Sequence, residues 1–287
     1  MNLYTPTGIA ELMNEFGFSF SKKYGQNFLI NEAVVEKIAV SSRDGAKGEK
    51  TACLEIGPGI GSLSAKLAER YDIVRSVEID DRLIPILAKT LSSYPNAAVI
   101  NADFLAVDIK KLFEEELSGY SVSVCANLPY YITSQIIMKL LESGCKFDSL
   151  VLMVQKEAAQ RLISSPGKAE YGSIAAAVSY YAKATKLFDV QAGSFMPRPN
   201  VTSSVLRLTP YETKPVTPKN EELFLEMIRA AFSQRRKTLL NSLNSYFGSR
   251  YAKTELEDFI KKSGIDSQRR GETLTLQELQ ALSDAFE

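Results

Sequence analysis

The sequence predicts a doubly wound α/β protein that ends in a small helical domain. Three observations carry this prediction. Between Thr51 and Val154, apolar runs of strand length alternate with stretches of helical periodicity. Those runs are apolar throughout, the pattern of parallel strands covered on both faces. Beyond residue 210 the alternation gives way to prolines and then to helical spacing alone.

In chain order, Thr5-Pro6 offers a helix cap followed by a first-turn proline, and Ile9, Leu12, Met13 and Phe16 recur at helical spacing up to Gly17. Residues 21–29 read as a polar, basic loop and 33–40 as a helix. Strands are predicted at 52–56, 73–79, 97–100, 122–126 and 149–154, and helices at 63–69, 83–90, 134–141 and 157–163. A helix over 172–182 ends the alternation. Two further strand-like runs, 186–191 and 203–208, have no helix between them, which predicts an antiparallel pair closing the edge of a mostly parallel sheet. Pro210, Pro215 and Pro218 form a stiff connector, after which Leu223, Phe224, Met227, Ile228, Ala231 and Phe232 share one helix face. The predicted boundary therefore separates 1–210, which includes an N-terminal helix and ligand loop at 1–30, from an all-helical 211–287.

Composition narrows the chemistry. At 287 residues, 45% hydrophobic and 24% charged, the chain has the make-up of a soluble globular protein. Its apolar runs fall far short of the roughly 20 residues of a membrane span. Glu11 and Glu15 replace the apolar run of a secretory signal, so a cytoplasmic location is expected. Cys53, Cys125 and Cys145 lack C-x-x-C spacing and are expected as buried, reduced core thiols. The chain has no histidine, which removes the commonest general base, Ser-His and Cys-His nucleophiles and the usual zinc ligands. No metal site is expected. A formal net charge of zero excludes a uniformly basic nucleic-acid binder, so nucleic acid has to be held by local patches. The candidates are Lys22-Lys23 and a C-terminal series, Arg229, Arg235-Arg236-Lys237, Arg250, Lys253 and Lys261-Lys262, read as basic helices. A solvated helix face explains any one such run equally well.

Leu54-Glu55-Ile56-Gly57-Pro58-Gly59-Ile60-Gly61 ends one predicted strand and opens a helix, where glycines let the backbone approach a ligand. Its G-x-G-x-G spacing differs from the G-x-G-x-x-G of pyrophosphate cradles and favours a cofactor without pyrophosphate. Glu78, about 20 residues on, ends the next strand, where a carboxylate accepts hydrogen bonds from ribose hydroxyls. Asp103 follows the third strand, placed to accept from an adenine amino group. Asp80 and Asp108 read better as helix caps.

Asn127-Leu128-Pro129-Tyr130 follows the fourth strand at the same sheet edge. An adenine amino nitrogen is a poor nucleophile because its lone pair is delocalised into the ring. The site's task is therefore to orient that nitrogen. The Asn127 side-chain oxygen and the Leu128 carbonyl are neutral acceptors suited to this, and the nitrogen becomes acidic only after it attacks. Pro129 stiffens the turn and Tyr130 offers a ring on which an extruded base stacks. Phe195, in the proline-stiffened loop between the last two strands, is a candidate second wall, or else is tucked under its own loop.

Together these segments resemble the rRNA adenine N6-dimethyltransferases over nearly the whole chain. The resemblance runs through 23–29, Glu55 to Gly61, Asn127 to Tyr130, Gln155-Lys156-Glu157, Tyr171-Gly172-Ser173, Phe195 to Val201 and 232–238, in family order. Gly25 before Gln26, Gly57-Pro58-Gly59 and Leu128 are most similar to the KsgA (RsmA) branch, which dimethylates two adjacent adenosines in the 3′-terminal hairpin loop of 16S rRNA. The Erm branch, which modifies 23S rRNA, more often has Ile at the Leu128 position. The resemblance implies a Rossmann-like sheet, S-adenosylmethionine as cofactor, 16S rRNA in an immature small subunit as partner, and action as a monomer. It further implies that Asn27 and Leu29 touch the methionine end of the cofactor, Gly57 and Gly59 line it, Glu78 takes the ribose, Asp103 the adenine, and Asn127 bridges cofactor and target. Lys22, Lys23, Arg198, Arg235, Arg236 and Lys237 are the implied RNA contacts. Asn200 departs from the family pattern, which has lysine there, and Arg198 is the candidate replacement. The competing expectations are an Erm-type resistance enzyme, a non-catalytic ribosome-assembly factor and a DNA adenine methyltransferase.

Overall fold

A computed structural model of the chain describes residues 2–21 and 25–286. Lys22 and Lys23, named above as a basic patch, lie outside the described residues. The strands are β1 (Phe28–Leu29), β2 (Thr51–Ile56), β3 (Ile73–Glu78), β4 (Ala97–Asn101), β5 (Ser121–Asn127), β6 (Ser149–Gln155), β7 (Ala182–Val190), β8 (Phe195–Met196) and β9 (Ser203–Pro210). The helices are α1 (Pro6–Glu15), α2 (Glu32–Arg43), α3 (Ser62–Ala68), α4 (Ile84–Thr90), α5 (Ile109–Leu112), α6 (Thr133–Glu142), α7 (Lys156–Leu162), α8 (Ser173–Tyr181), α9 (Glu221–Ala231), α10 (Leu239–Phe247), α11 (Lys253–Lys262) and α12 (Leu276–Asp284).

Among the described residues the main sheet has seven strands in the order β4-β3-β2-β5-β6-β9-β7. β4, β3, β2, β5 and β6 run parallel, and β9 returns antiparallel to β6 with Leu152 opposite Leu206. The predicted closing strands are thus present, with β9 inserted between β6 and β7. β2 is buried at every position, and β6 at every position but its last, because helices cover both faces. From β2 the chain winds outward to β4 and then crosses back to place β5 on the other side of β2. Such a reversal of strand order opens a crevice at the carboxyl ends of the strands.

Local chemistry sets the helix ends. Thr5 accepts a hydrogen bond from the Gly8 amide at 3.1 Å with Pro6 in the first turn of α1. At the other end of α1, Gly17 turns left-handed at φ 60° and the Phe18 amide donates back to Met13 at 2.8 Å, a Schellman stop. Asn31 caps α2, Asn220 caps α9, and Thr275 with Glu278 forms a capping box on α12.

The chain divides into two compact units, Met1–Ala159 with Thr185–Pro210, and Gln160–Ala184 with Tyr211–Glu287. The helical unit therefore extends beyond the 211–287 span expected from sequence. Its core explains why: Tyr171, Ala175, Ala176 and Tyr180 are buried in one cluster with Phe224, Met227, Leu243 and Phe247. Within the sheet unit, one cluster joins Leu29, Val35, Cys53, Cys125 and Val205, and another joins Ile9, Phe18, Phe28, Ile60 and Leu87. Cys53 and Cys125 are core thiols, pushed up in pKa chiefly by burial, whereas Cys145 is only half-buried. No described helix is long and apolar enough to cross a membrane.

Candidate active site

The carboxyl ends of β2, β3, β4 and β5, together with the loop leading into β1, line an open cavity. It lies at the switch point created by the reversal at β2 and β5. Asn27, Gly57, Gly59, Glu78, Asp103, Asn127, Leu128, Pro129 and Tyr130 all line it, so residues separated by a hundred positions in sequence meet at one edge.

The glycine loop has three different tasks. Gly57 (φ 70°) is a position where a side chain would meet nothing within 4 Å. At Gly59 (φ 60°) a Cβ would stand 3.1 Å from the Phe28 ring, so the absent side chain lets β1 close over the loop. At Gly61 (φ 89°) it would stand 2.8 Å from the Thr90 hydroxyl, which makes this glycine a matter of helix packing.

Glu78 is buried, and its two oxygens accept from the Gly59 amide at 3.2 Å and the Asp80 amide at 2.9 Å. Burial pushes its carboxyl above the usual range. The backbone under it is held by Asn101, whose Nδ2 donates to the Glu78 carbonyl at 2.9 Å. Ile79, next along, lines the cavity with an exposed apolar side chain, and Phe104 joins it there. Asp103 uses one oxygen to accept from the Leu105 amide at 2.9 Å, which leaves the other for a ligand. Asp80 and Asp108 do cap the following turns, accepting from the Arg82 and Lys111 amides. Asp80 does more, because the Gln26 side chain donates to it at 2.7 Å and Arg82 grips it with two nitrogens. Burial raises the Asp80 pKa, but these hydrogen bonds outweigh it and hold the group below the usual carboxylate range.

Asn127 closes β5. Its Nδ2 donates to the Asn27 carbonyl at 3.0 Å, and Asn27 in turn donates to the Gly25 carbonyl at 3.0 Å. The Asn127 Oδ1 is thereby left as an acceptor. The Leu128 side chain is buried while its amide donates to Met153 at 3.0 Å. No described residue donates to the Leu128 carbonyl. Thr133 and the Ile132 amide both bond the Pro129 carbonyl and so fix the turn. The Tyr130 hydroxyl is 3.0 Å from the Ser203 hydroxyl at the start of β9, which tethers the ring.

Three sequence expectations change. Phe195 is 3% exposed and lies in the core beside Leu29, not on the cavity wall. Leu29 is buried in the same cluster, and Phe28 lines the cavity in its place, because successive strand residues point to opposite faces. Arg235, Arg236 and Lys237 lie in a turn and not on a helix: α9 stops at Ala231, and Thr238 caps a new helix starting at Leu239. Arg236 and Lys237 are exposed there, whereas Arg235 pairs with Glu272 at 3.3 Å and also donates to the Ala169 carbonyl. Arg198 is exposed. Sequence reasoning missed Gln26, Phe28, Ile79 and Tyr131 as cavity residues. The only available signal was adjacency to Asn27, Glu78 and Tyr130.

The "Ribosomal RNA adenine dimethylase" family profile matches residues 17–282. The chain is similar to a "Ribosomal RNA small subunit methyltransferase A" of Lachnoclostridium phytofermentans, at 46% identity over 98% of this chain and 97% of the relative. It is also similar to the protein of that name from Alkaliphilus oremlandii, at 44% identity over 98% and 96%. Among solved structures, a dimethyladenosine transferase from Plasmodium falciparum superposes with a TM-score of 0.71 at 27% identity, covering 89% of this chain and 95% of that one. The 23S rRNA methyltransferase ErmE shares the fold, with a TM-score of 0.65 at 24% identity over 90% and 99%. An acceptor asparagine at the end of β5, a buried carboxylate at the end of β3 and a full-length sequence match converge on one assignment: the chain belongs to the ribosomal RNA adenine dimethylase family.

Proposed function

We propose that the chain transfers methyl groups from S-adenosylmethionine to the N6 amino groups of two adjacent adenosines in the 3′-terminal hairpin loop of 16S rRNA. The product is N6,N6-dimethyladenosine, made while the small ribosomal subunit matures. The observation that carries this reading is the Asn127 amide, whose Nδ2 is committed to the Asn27 carbonyl and whose Oδ1 is left as an acceptor. An adenine amino group presents two N–H donors. Asn127 Oδ1 and the Leu128 carbonyl are acceptors for them, and holding both N–H bonds turns the nitrogen lone pair out of conjugation. Tyr130, tethered through Ser203, supplies a fixed ring for the extruded base. The proton leaves only after the nitrogen has become cationic, so the lack of histidine is no obstacle.

The cavity fits the cofactor. Glu78, anchored by two backbone amides, would accept the ribose hydroxyls, and Asp103 the adenine amino group. Ile79 and Phe104 give an apolar bed for the adenine ring, and the space over Gly57, which a side chain would fill, is left for the methionine portion. When bound, S-adenosylmethionine supplies an electrophilic methyl group. The substrate is read as 16S rRNA in an immature subunit, met in the cytoplasm by a monomer of this chain. Arg198, Arg236 and Lys237 are its exposed cations for phosphate.

Replacing Asn127 with Ala tests the reading. Methyl transfer should fall by about a hundredfold or more while RNA binding persists, the scale of losing one preorganised group in a reaction centre. Unchanged transfer would refute the role given to Asn127. Mass spectrometry of rRNA from a deletion strain should show dimethyladenosine missing from the small subunit, and a loss confined to the large subunit would move the assignment to the Erm type.

A further inference from the structure

Two consecutive tyrosines at the cavity are held in different ways. Tyr130 is half-buried and its hydroxyl is tied to Ser203 at 3.0 Å. Tyr131 lines the same cavity but is 62% exposed, more than any other large hydrophobic residue described. Among the described residues its ring pairs with no other ring, and its hydroxyl has no hydrogen-bond partner. Gly25, at φ 60°, leaves one ring edge uncovered, where a Cβ would come 3.6 Å from Tyr131 Cε1 and 3.8 Å from Cδ1. A flat aromatic surface thus stands at the cavity with most of its area facing solvent. Scattered exposed tyrosines are ordinary; one at the rim of a reaction centre, beside the ring meant for the target base, is not explained by the fold.

We propose that Tyr131 is a stacking platform for the nucleotide adjoining the target adenosine, an inference that rests on reading the cavity as an adenine site in RNA. Extruding a base into a pocket leaves its neighbour without a stacking partner on one side. Tyr130 and Tyr131 are consecutive and line one cavity, so a nucleotide beside the one that Tyr130 takes comes within reach of Tyr131. Tyr130 takes the extruded base and Tyr131 covers the face that the extruded base has vacated. Stacking of this kind is tolerant of sequence because every base has a π-face. The ring therefore grips the flanking nucleotide without reading it. Recognition of the target stays with Asn127 and Leu128.

The test uses the full chain and a hairpin RNA of the small-subunit 3′-terminal loop, carrying 2-aminopurine at one or the other neighbour of the target adenosine. Stacking should quench its fluorescence at one of the two positions in the native chain and in Tyr131→Phe, and Tyr131→Ala should lose the quenching. With unmethylated small subunits as substrate, Tyr131→Ala should raise KM for RNA by about tenfold or more, the scale of one lost base–aromatic stack. Its KM for S-adenosylmethionine and its kcat at saturating RNA should stay within twofold, and its melting temperature should match the native chain's. Quenching that survives in Tyr131→Ala overturns the proposal, as does a rise in the cofactor KM in place of the RNA KM. So does a Tyr131→Phe variant as defective as Tyr131→Ala, which would assign the effect to the hydroxyl. If the native chain transfers no methyl group to small subunits, the proposed function itself fails. Transfer without quenching at either neighbour defeats the platform alone.

Discussion

Glu55 sits at the end of β2, fully buried, with Ser76 donating to one carboxylate oxygen at 2.7 Å and no partner on the other. Burial pushes its pKa up to about 7. Because the folded value lies above the unfolded one, the folded state binds more protons between the two. Stability should therefore fall as pH rises from about 4.5 to about 7 and level off above that, by as much as about 3 kcal/mol for this group. Glu55→Gln should flatten much of that slope in denaturant titrations run at several pH values, leaving the smaller part owed to Glu78. An unchanged slope would mean that Glu55 titrates normally. Glu78 belongs to the ligand side of the same strand ends. Replacing it with Ala should weaken S-adenosylmethionine binding by about ten- to a hundredfold, the scale of hydrogen bonds to a charged group, and calorimetric titration would read this directly.

At the scale of elements, the described residues of the loop entering β1 are fastened to the sheet by side chains. Gln26 accepts from the Ser21 amide at 2.8 Å while donating to Asp80, and Phe28 closes over Gly59. Gln26→Ala should release the Ser21 amide to fast hydrogen exchange and lower cofactor affinity several-fold, since Asp80 also donates its amide to Glu78. Full retention of Ser21 protection would show that the loop is fastened elsewhere. These contacts also mark where sequence stops being informative. The parallel strands, the glycine loop and Asn127 were legible because each has a length, a period or a spacing. β1 and β8 are two residues each, too short to carry a period, so nothing indicated that Phe28 rather than Leu29 faces the cavity or that Phe195 turns inward. Tyr131 was invisible for another reason: exposure depends on what fails to cover a residue, and no local pattern records that. The basic run at 235–237 was legible as charge but not as a turn, because Thr238 reads as a cap only once the next helix is known to begin there.

For the molecule as a whole, two consequences follow from how the chain is partitioned. Residues 160–184 belong to the helical unit's core although they precede β9, so a chain cut after Pro210 keeps α8 without the helices that bury it. Such a truncation should bind apolar dyes and aggregate; a well-dispersed, cooperatively melting product would show that α8 finds other cover. Charge is partitioned too. With a formal net charge of zero, RNA on the proposed reading has to be held by local patches of exposed cations. Arg236→Ala and Lys237→Ala should each lower the slope of log affinity against log salt by about one, with little change in melting temperature. Arg235→Ala should cost stability as well, because it leaves Glu272 with a weaker partner and the Ala169 carbonyl without its donor. Equal melting temperatures for all three variants would contradict that division of labour.

On the proposed reading, the Asn27 carbonyl, by holding the Asn127 amide nitrogen, also selects which letter the site accepts. An amide free to rotate could present either its oxygen or its nitrogen and would greet adenine or guanine alike. Pinned, it turns its oxygen to the base, and a purine with a keto oxygen at position 6 meets repulsion where adenine meets two acceptors. Hypoxanthine, which differs from adenine at that position by an oxygen in place of the amino group, would be turned away by the same lone pairs. On that reading, the identity of the modified base is enforced by a backbone carbonyl a hundred residues away in sequence from the side chain that reads it.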